Sequence, residues 1–209
     1  MNSRYSSAVQ QHLDHFEQLY AADSDPWRLQ TTWSEHHKRR IIGRALGPQR
    51  HDRGLELGCG SGITTRHLAK HFHQLLAVDG SPSAVERARS EVAGLSHVAV
   101  VEAALPLSLP RTAFNAVIAS EILYYLPGAA LSQMLAEIHG ALRRGGSLIM
   151  ANHVLRFSDS ERALAQLLTA SRSLFGGERW SYAWGPWRVT VFVKKYRVPS
   201  VRASTLRIA

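Results

Sequence analysis

The sequence predicts an α/β fold, a mostly parallel sheet whose strands are joined by helices, with a helical cap ahead of it. Three observations carry this reading. A glycine-rich loop, Gly58-Cys59-Gly60-Ser61-Gly62, lies between a short strand-like run ending at Leu57 and a helix-spaced segment beginning at Ile63. A second apolar run, Leu75-Leu76-Ala77-Val78, ends in Asp79-Gly80-Ser81-Pro82. Apolar runs and helix-period segments then alternate as far as about residue 152, which implies parallel pairing through right-handed crossovers.

The elements follow in order. Val9, Leu13, Phe16, Leu19 and Tyr20 share one helical face. Asp25-Pro26 breaks that helix, because the residue before proline avoids the helical region. A second helix is expected over 35–46, ended near Gly47-Pro48. Strands are expected near 54–57, 74–78, 98–102, 115–120 and 147–152, and helices near 63–72, 82–91 and 129–142. Ser81 reads as the N-cap and Pro82 as the first position of the helix at 82. Another helix is expected over 158–173, capped by Ser158 or Asp159. Trp180, Tyr182 and Trp184 alternate, Gly185-Pro186 marks a turn, and 189–193 is β-branched and aromatic, so the chain closes on strands. If the strand at 180–184 runs parallel to the others, the 184–188 turn lies at their C-terminal edge, where open α/β sheets bind ligands. Residues 205–209 read as tail.

A chain of 209 residues is one domain by default. We divide it into a helical cap (1–46), a ligand-binding core (53–196) and a basic tail (197–209). No apolar run reaches transmembrane length, and the N-terminus lacks a charged-then-apolar signal pattern. The single Cys59 excludes an internal disulfide and fits a reducing cytoplasm. His36-His37 lack further ligands at zinc-like spacing, so no metal site is expected. The charge is uneven. From residue 151 onward ten Lys and Arg face only Asp159, Glu161 and Glu178, which accounts for most of the net +9. Such a basic end suggests an anionic substrate, nucleic acid or lipid headgroups, or else a solvated face.

The glycine loop has the spacing G-x-G-x-G, with Ile63 where a dinucleotide fingerprint places its third glycine. A nucleotide-type ligand without a pyrophosphate is therefore favoured over NAD or FAD. Asp79, at the tip of the next strand, is in register to accept hydrogen bonds from ribose hydroxyls.

Glu56-Leu57-Gly58-Cys59-Gly60-Ser61-Gly62 resembles the first motif of the class I S-adenosylmethionine (SAM) methyltransferases, which have a Rossmann-like fold. Ala77-Val78-Asp79 resembles the second, and Leu142-Arg143-Arg144-Gly145-Gly146-Ser147-Leu148 the turn before the fifth strand. The segments 19–28 and 120–126 further resemble the rhizobial nodulation-factor N-methyltransferases, which methylate the free amine of a chitooligosaccharide. The resemblance covers about residues 12–155. It implies a seven-stranded sheet with an antiparallel last strand, SAM as cofactor, and an oligosaccharide or other small-molecule amine as substrate. It places Gly58, Gly60 and Gly62 along the methionine part of SAM and Asp79 at the ribose, and counts Glu56, Cys59, Gly80, Ser81 and Ser120 among the cofactor-binding residues. Trp27 and Arg28 would fold over the site, Arg28 meeting the cofactor carboxylate. Many relatives carry an acidic residue for the adenine amino group where this chain has Ala104, so backbone groups of Ala103, Ala104 and Leu105 are expected to substitute.

For catalysis the expectation falls on Glu121, just after the strand ending at Ser120, at the edge where SAM would lie. A carboxylate there orients an amine and offsets the charge growing on nitrogen. Tyr124 and Tyr125 would frame the methyl path, and His153 would reach the same edge. Trp184 and Trp187 suit stacking on a sugar or other flat ring, or else packing of the hairpin on the last helix. The Asn/Asp-Pro-Pro-aromatic signature of adenine methyltransferases and the paired Cys loops of cytosine-carbon methyltransferases are absent, which argues against nucleic acid. Methylation of a small-molecule hydroxyl, of RNA, and SAM binding without catalysis stay open.

Overall fold

Seven strands form one sheet in the computed structural model, which describes residues 7–154 and 164–195. They are β1 (His51–Leu57), β2 (Phe72–Asp79), β3 (Val98–Glu102), β4 (Phe114–Ser120), β5 (Leu142–His153), β6 (Trp180–Trp184) and β7 (Trp187–Val193). Their order is β3-β2-β1-β4-β5-β7-β6. The first five pair in parallel, and β7 runs antiparallel to both β5 and β6. This is the mostly parallel sheet expected. The order reverses around β1, which lies between β2 and β4. A crevice forms at such a switch point, outside the C-terminal ends of the strands.

The helices are α1 (Ser7–Ala22), α2 (Trp33–Leu46), α3 (Ile63–Leu68), α4 (Pro82–Glu91), α5 (Gly128–Ala141) and α6 (Leu164–Phe175). Central strands are buried on both faces, which explains their unbroken apolar runs. In β4, Val117 and Ala119 face Leu131, Met134 and Ile138 of α5 and Leu167 of α6. Ala116 and Ile118 face the other way, toward Ile41 and Ile42 of α2.

Two boundaries differ from expectation for physical reasons. The segment 142–146, read as a turn, continues β5 through a bulge: Phe114 pairs with Leu142 but Ala116 with Ser147. Extra residues on one strand make the chain bend without leaving the sheet. The helix expected over 63–72 stops at Leu68 and tightens into a 3-10 turn, Ala69–His71, that feeds β2 directly. The Ser158 or Asp159 cap and the basic tail lie outside the described residues.

The N-terminal cap is bound to the core through one carboxylate. Glu17 of α1 accepts from Ser81 Oγ at 2.6 Å, Ser83 Oγ at 2.6 Å and Ser83 N at 3.2 Å. It thus sits at the N-terminus of α4, where a negative charge meets free backbone donors and the positive end of the helix dipole. Those bonds hold the carboxyl of Glu17 below its usual range. Leu13 lies over Gly80, where a side chain would collide with it. Both contacts fix α1 above the end of β2.

Candidate active site

A cavity of about 260 Å³ opens at the C-terminal ends of β1, β2 and β4, under α1 and α2. A smaller one of about 60 Å³ adjoins it, sharing Phe16, Gly58, Asp79, Ile122 and Tyr125.

One wall is built from the glycine loop. Gly60 sits at φ 53°, a conformation that side chains resist, and a Cβ there would strike Tyr20 Oη of α1. Its N–H donates to Asp79 Oδ2 at 2.8 Å, and Ser81 N donates to Asp79 Oδ1 at 3.0 Å. Burial raises the Asp79 carboxyl above its ordinary value, against those bonds. Gly62 lies behind the wall. It caps α3 at φ 85°, and a Cβ would press on Ala88 of α4, so it packs two helices rather than lining the cavity. Glu56 is 2% exposed. Burial pushes its carboxyl up to about 8, and Oε2 is buried without a hydrogen-bond partner. Cys59 is buried and its thiol is raised well above its usual range by burial, which leaves it without nucleophilic character.

The facing wall comes from four separate segments. Glu121 follows β4 in a left-handed conformation, φ 58°, rare for a side-chain-bearing residue and a marker of functional sites. Burial pushes its carboxyl up to about 7, and the nearby Lys38 ammonium pulls it back. Tyr124 Oη donates to Glu121 Oε2 at 2.5 Å, while Oε1 is buried with no partner. Lys38 of α2 is 4% exposed, lies 2.9 Å from Glu35, and stands 4.1 Å over the Trp187 ring. Trp27 closes the rim, packed edge-on against Tyr20 at 5.2 Å and tilted toward Phe16 at 6.0 Å.

Of the expected residues, Trp27, Glu56, Gly58, Cys59, Gly60, Asp79, Ser120, Glu121, Tyr124 and Tyr125 line the larger cavity. Gly80, Ser81, Ala103 and Leu105 line the smaller. Four are not brought to either wall. Arg28 is turned outward by its own φ of 54° and lies 3.8 Å from Asp23 with its side chain exposed. The turn is held by Asp25, which accepts from Leu29 N and Gln30 N. Ala104 lies behind Gly80. His153 stands edge-on to Trp187 at 4.9 Å, one ring away from the cavity. Gly62 is the fourth. Sequence reasoning missed Tyr20, Glu35, Lys38 and Ile122. An acid and a base three residues apart in an otherwise apolar helix face was the available signal for Glu35 and Lys38.

The lining carries four carboxyl groups, Glu35, Glu56, Asp79 and Glu121, against one cation, Lys38. In a chain of net charge +9 this is a local reversal. It suits a cationic ligand better than the anionic one that the basic end suggested. Three of the described basic residues of that end are engaged elsewhere: Arg172 and Arg188 on Glu178, and Lys194 on the Gly140 and Leu142 carbonyls. SAM, a sulfonium with an α-ammonium, fits these walls: Glu56 offers an unpartnered buried oxygen, Asp79 lines both cavities, and the smaller cavity is walled largely by apolar side chains. No group of three or more metal-ligating side chains occurs among the described residues, and none of their helices is long and apolar enough to cross a membrane.

Residues 55–146 match a methyltransferase domain family. Nodulation protein S of Bradyrhizobium diazoefficiens is 30% identical over 149 residues, 69% of this chain and 67% of that protein. Carboxy-S-adenosyl-L-methionine synthase of Dichelobacter nodosus is 31% identical over 129 residues, 59% of this chain and 54% of that protein. The solved N-methyltransferase NodS of Bradyrhizobium japonicum, in complex with S-adenosylhomocysteine, superposes with a TM-score of 0.77 at 22% identity, covering 91% of this chain and all of that one. At that identity the superposition speaks for the fold. The sequence match speaks for the family: the chain belongs to the NodS-like class I methyltransferases, enzymes that use S-adenosylmethionine.

Proposed function

We propose that this enzyme methylates an amine, and that the amine belongs to an amino-sugar of the chitooligosaccharide kind. The observation that carries the amine is the Glu121 carboxyl, buried in the cavity with Oε1 unpartnered and Tyr124 holding Oε2. A nitrogen acquires positive charge as the methyl arrives, and a carboxylate beside it offsets that charge. The sugar rests on the likeness to nodulation protein S.

Bound SAM supplies the methyl group and a neutral thioether leaving group. The chain does the rest. Gly58 and Gly60 let the backbone close on the methionine part, and Asp79 takes the ribose hydroxyls. Ala103 and Leu105 bound the base with apolar surface, so no acidic side chain is needed at Ala104. Phe16, Tyr20 and Trp27 exclude water from above, which holds both reactants in line and strengthens every charge inside. Tyr124 orients Glu121, and Glu121 Oε1 accepts from the substrate N–H, taking its proton before or after transfer. A carboxyl poised near 7 is matched to that exchange at neutral pH.

The test offers labelled SAM with four acceptors: a chitooligosaccharide bearing one free amine, its fully N-acetylated form, a phenol and an RNA pool. Label is expected only on the free-amine sugar. Label in the phenol or the RNA would overturn the reading.

A further inference from the structure

Beyond the cavity, five aromatic side chains stand on one surface with no packing duty that accounts for all of them. β6 is the edge strand, and its Trp180, Tyr182 and Trp184 pair with Val191, Val189 and Trp187, so their rings share one face. Trp180 and Tyr182 lie nearly parallel, 7° apart, with centroids 6.3 Å from each other. Trp33 and His37, from the first turns of α2, continue the row: Trp33 meets Trp184 edge-on at 5.4 Å and stacks on His37 at 5.2 Å, and His37 lies 4.3 Å from Trp184. Trp33 is 67% exposed, Trp180 39% and Tyr182 38%. Open aromatic surface on an edge strand invites aggregation, so it is retained where it binds something.

We propose that this row is a binding track for the remainder of an oligosaccharide acceptor, whose terminal amine enters the cavity past Trp187. The inference rests on the amino-sugar reading above. One feature on the surface selects the rest of the acceptor as its occupant: the row is continuous with the cavity, since Trp184 pairs in register with Trp187 across a two-residue turn, and Trp187 lines the cavity wall. Pyranose rings present faces of C–H bonds with slight positive charge, and those faces sit on the negative face of an aromatic ring. Successive rings on one side of a strand are about 6.7 Å apart, so the row meets a repeating ligand at repeating points.

Fully N-acetylated chitin fragments of two to five sugars separate the two ideas, because they carry no amine to methylate. Titrated calorimetrically, the wild-type chain should bind the pentamer more tightly than the dimer. Trp180→Ala and Tyr182→Ala should each weaken the pentamer about tenfold, with S-adenosylhomocysteine affinity as the control for folding. Trp33→Ala, at the most exposed ring, is the second line and should do the same. Affinity that does not depend on length, or that survives all three changes, overturns the track. So does a wild-type dimer in sedimentation that Trp180→Ala dissociates, since the surface is then a contact between copies. Failure of methyl transfer to a free-amine pentamer that still binds would remove the amine reading and leave the track standing.

Discussion

The two walls of the cavity are made of different material. The glycine-loop wall consists of backbone and two carboxyl groups, Glu56 and Asp79, drawn from short contiguous stretches at the ends of β1 and β2. The facing wall consists of side chains: Glu35 and Lys38 from α2, Glu121 and Tyr124 after β4, and Trp187 from the start of β7. A backbone wall holds one ligand shape however the surrounding side chains change. A side-chain wall can be rewritten one residue at a time. The first kind suits a cofactor common to a whole family, and the second suits an acceptor that differs between its members. Substitutions on one wall should therefore move one binding event and leave the other.

Glu121→Gln gives the largest effect. It keeps the shape and the Tyr124 contact but removes the charge. Turnover with an amine acceptor should fall roughly ten- to a thousandfold, the range for one preorganised electrostatic group. S-Adenosylhomocysteine affinity should stay within a few-fold. Loss of cofactor affinity instead would merge the two walls into one site and assign Glu121 to the wrong ligand.

Asp79→Ala is the converse. Its carboxylate, held by Gly60 N and Ser81 N at the seam of the two cavities, is the group proposed above to take the ribose hydroxyls. Calorimetry should show about 1.5–3 kcal/mol of cofactor binding lost, as for hydrogen bonds to a charged group. The KM for the acceptor should hardly change. Unaltered cofactor affinity would remove the ribose assignment.

Legibility followed the same division. Gly58, Gly60 and Asp79 are readable because strand, turn and helix are local, and their spacing alone places them. Glu121 was readable only because it follows a strand directly. Lys38 and Trp187 meet across 149 positions of sequence, through a sheet edge whose order no local pattern dictates. Arg28 shows the opposite failure: its neighbourhood was right, but a left-handed φ set by Asp25 turned the side chain outward. The 142–146 segment shows a third, since glycines that end a strand and glycines that let it bulge look alike in sequence.

Stability should also report on the two carboxyls, one on each wall. In the folded chain Glu56 lies at about 8 and Glu121 at about 7, both above the ordinary 4.5 that applies on unfolding. From about pH 4.5 upward the unfolded chain has released protons that the folded chain still holds. The ligand-free protein is therefore most stable, by these groups, at the acidic end, and loses stability as pH rises until each folded value is passed. The slope is at most about 1.4 kcal/mol per pH unit for each group. Chemical denaturation at pH 5.5, 6.5 and 7.5 should show Glu56→Gln losing less stability than the wild type as pH rises, with the Glu121 share of the decline remaining up to about pH 7. A cationic ligand favours the ionised carboxyls, so saturating SAM should flatten it as well. A pH dependence that neither Glu56→Gln nor Glu121→Gln alters would mean that water already solvates both groups.

The smallest effect asks how the side-chain wall is tuned. Lys38 is the cation nearest Glu121, and Tyr124, Glu35 and the backbone N–H of His153 are the other polar groups that face it. Removing the ammonium should raise the acidic limb of the pH–turnover profile by about one unit. Lys38→Met alone is a poor test, because it strands Glu35 as a buried unpaired carboxylate and destabilises the chain for that reason. The double variant Glu35→Gln with Lys38→Met replaces the ion pair by neutral groups of similar size. It should recover most of the stability lost in the single variant while keeping the displaced limb. If the limb returns with the stability, the pair is a packing device beneath Trp187 and Glu121 titrates without it. If the limb stays displaced in a stable protein, α2 sets the ionisation of a carboxyl on β4, and the helical cap takes part in the chemistry it covers.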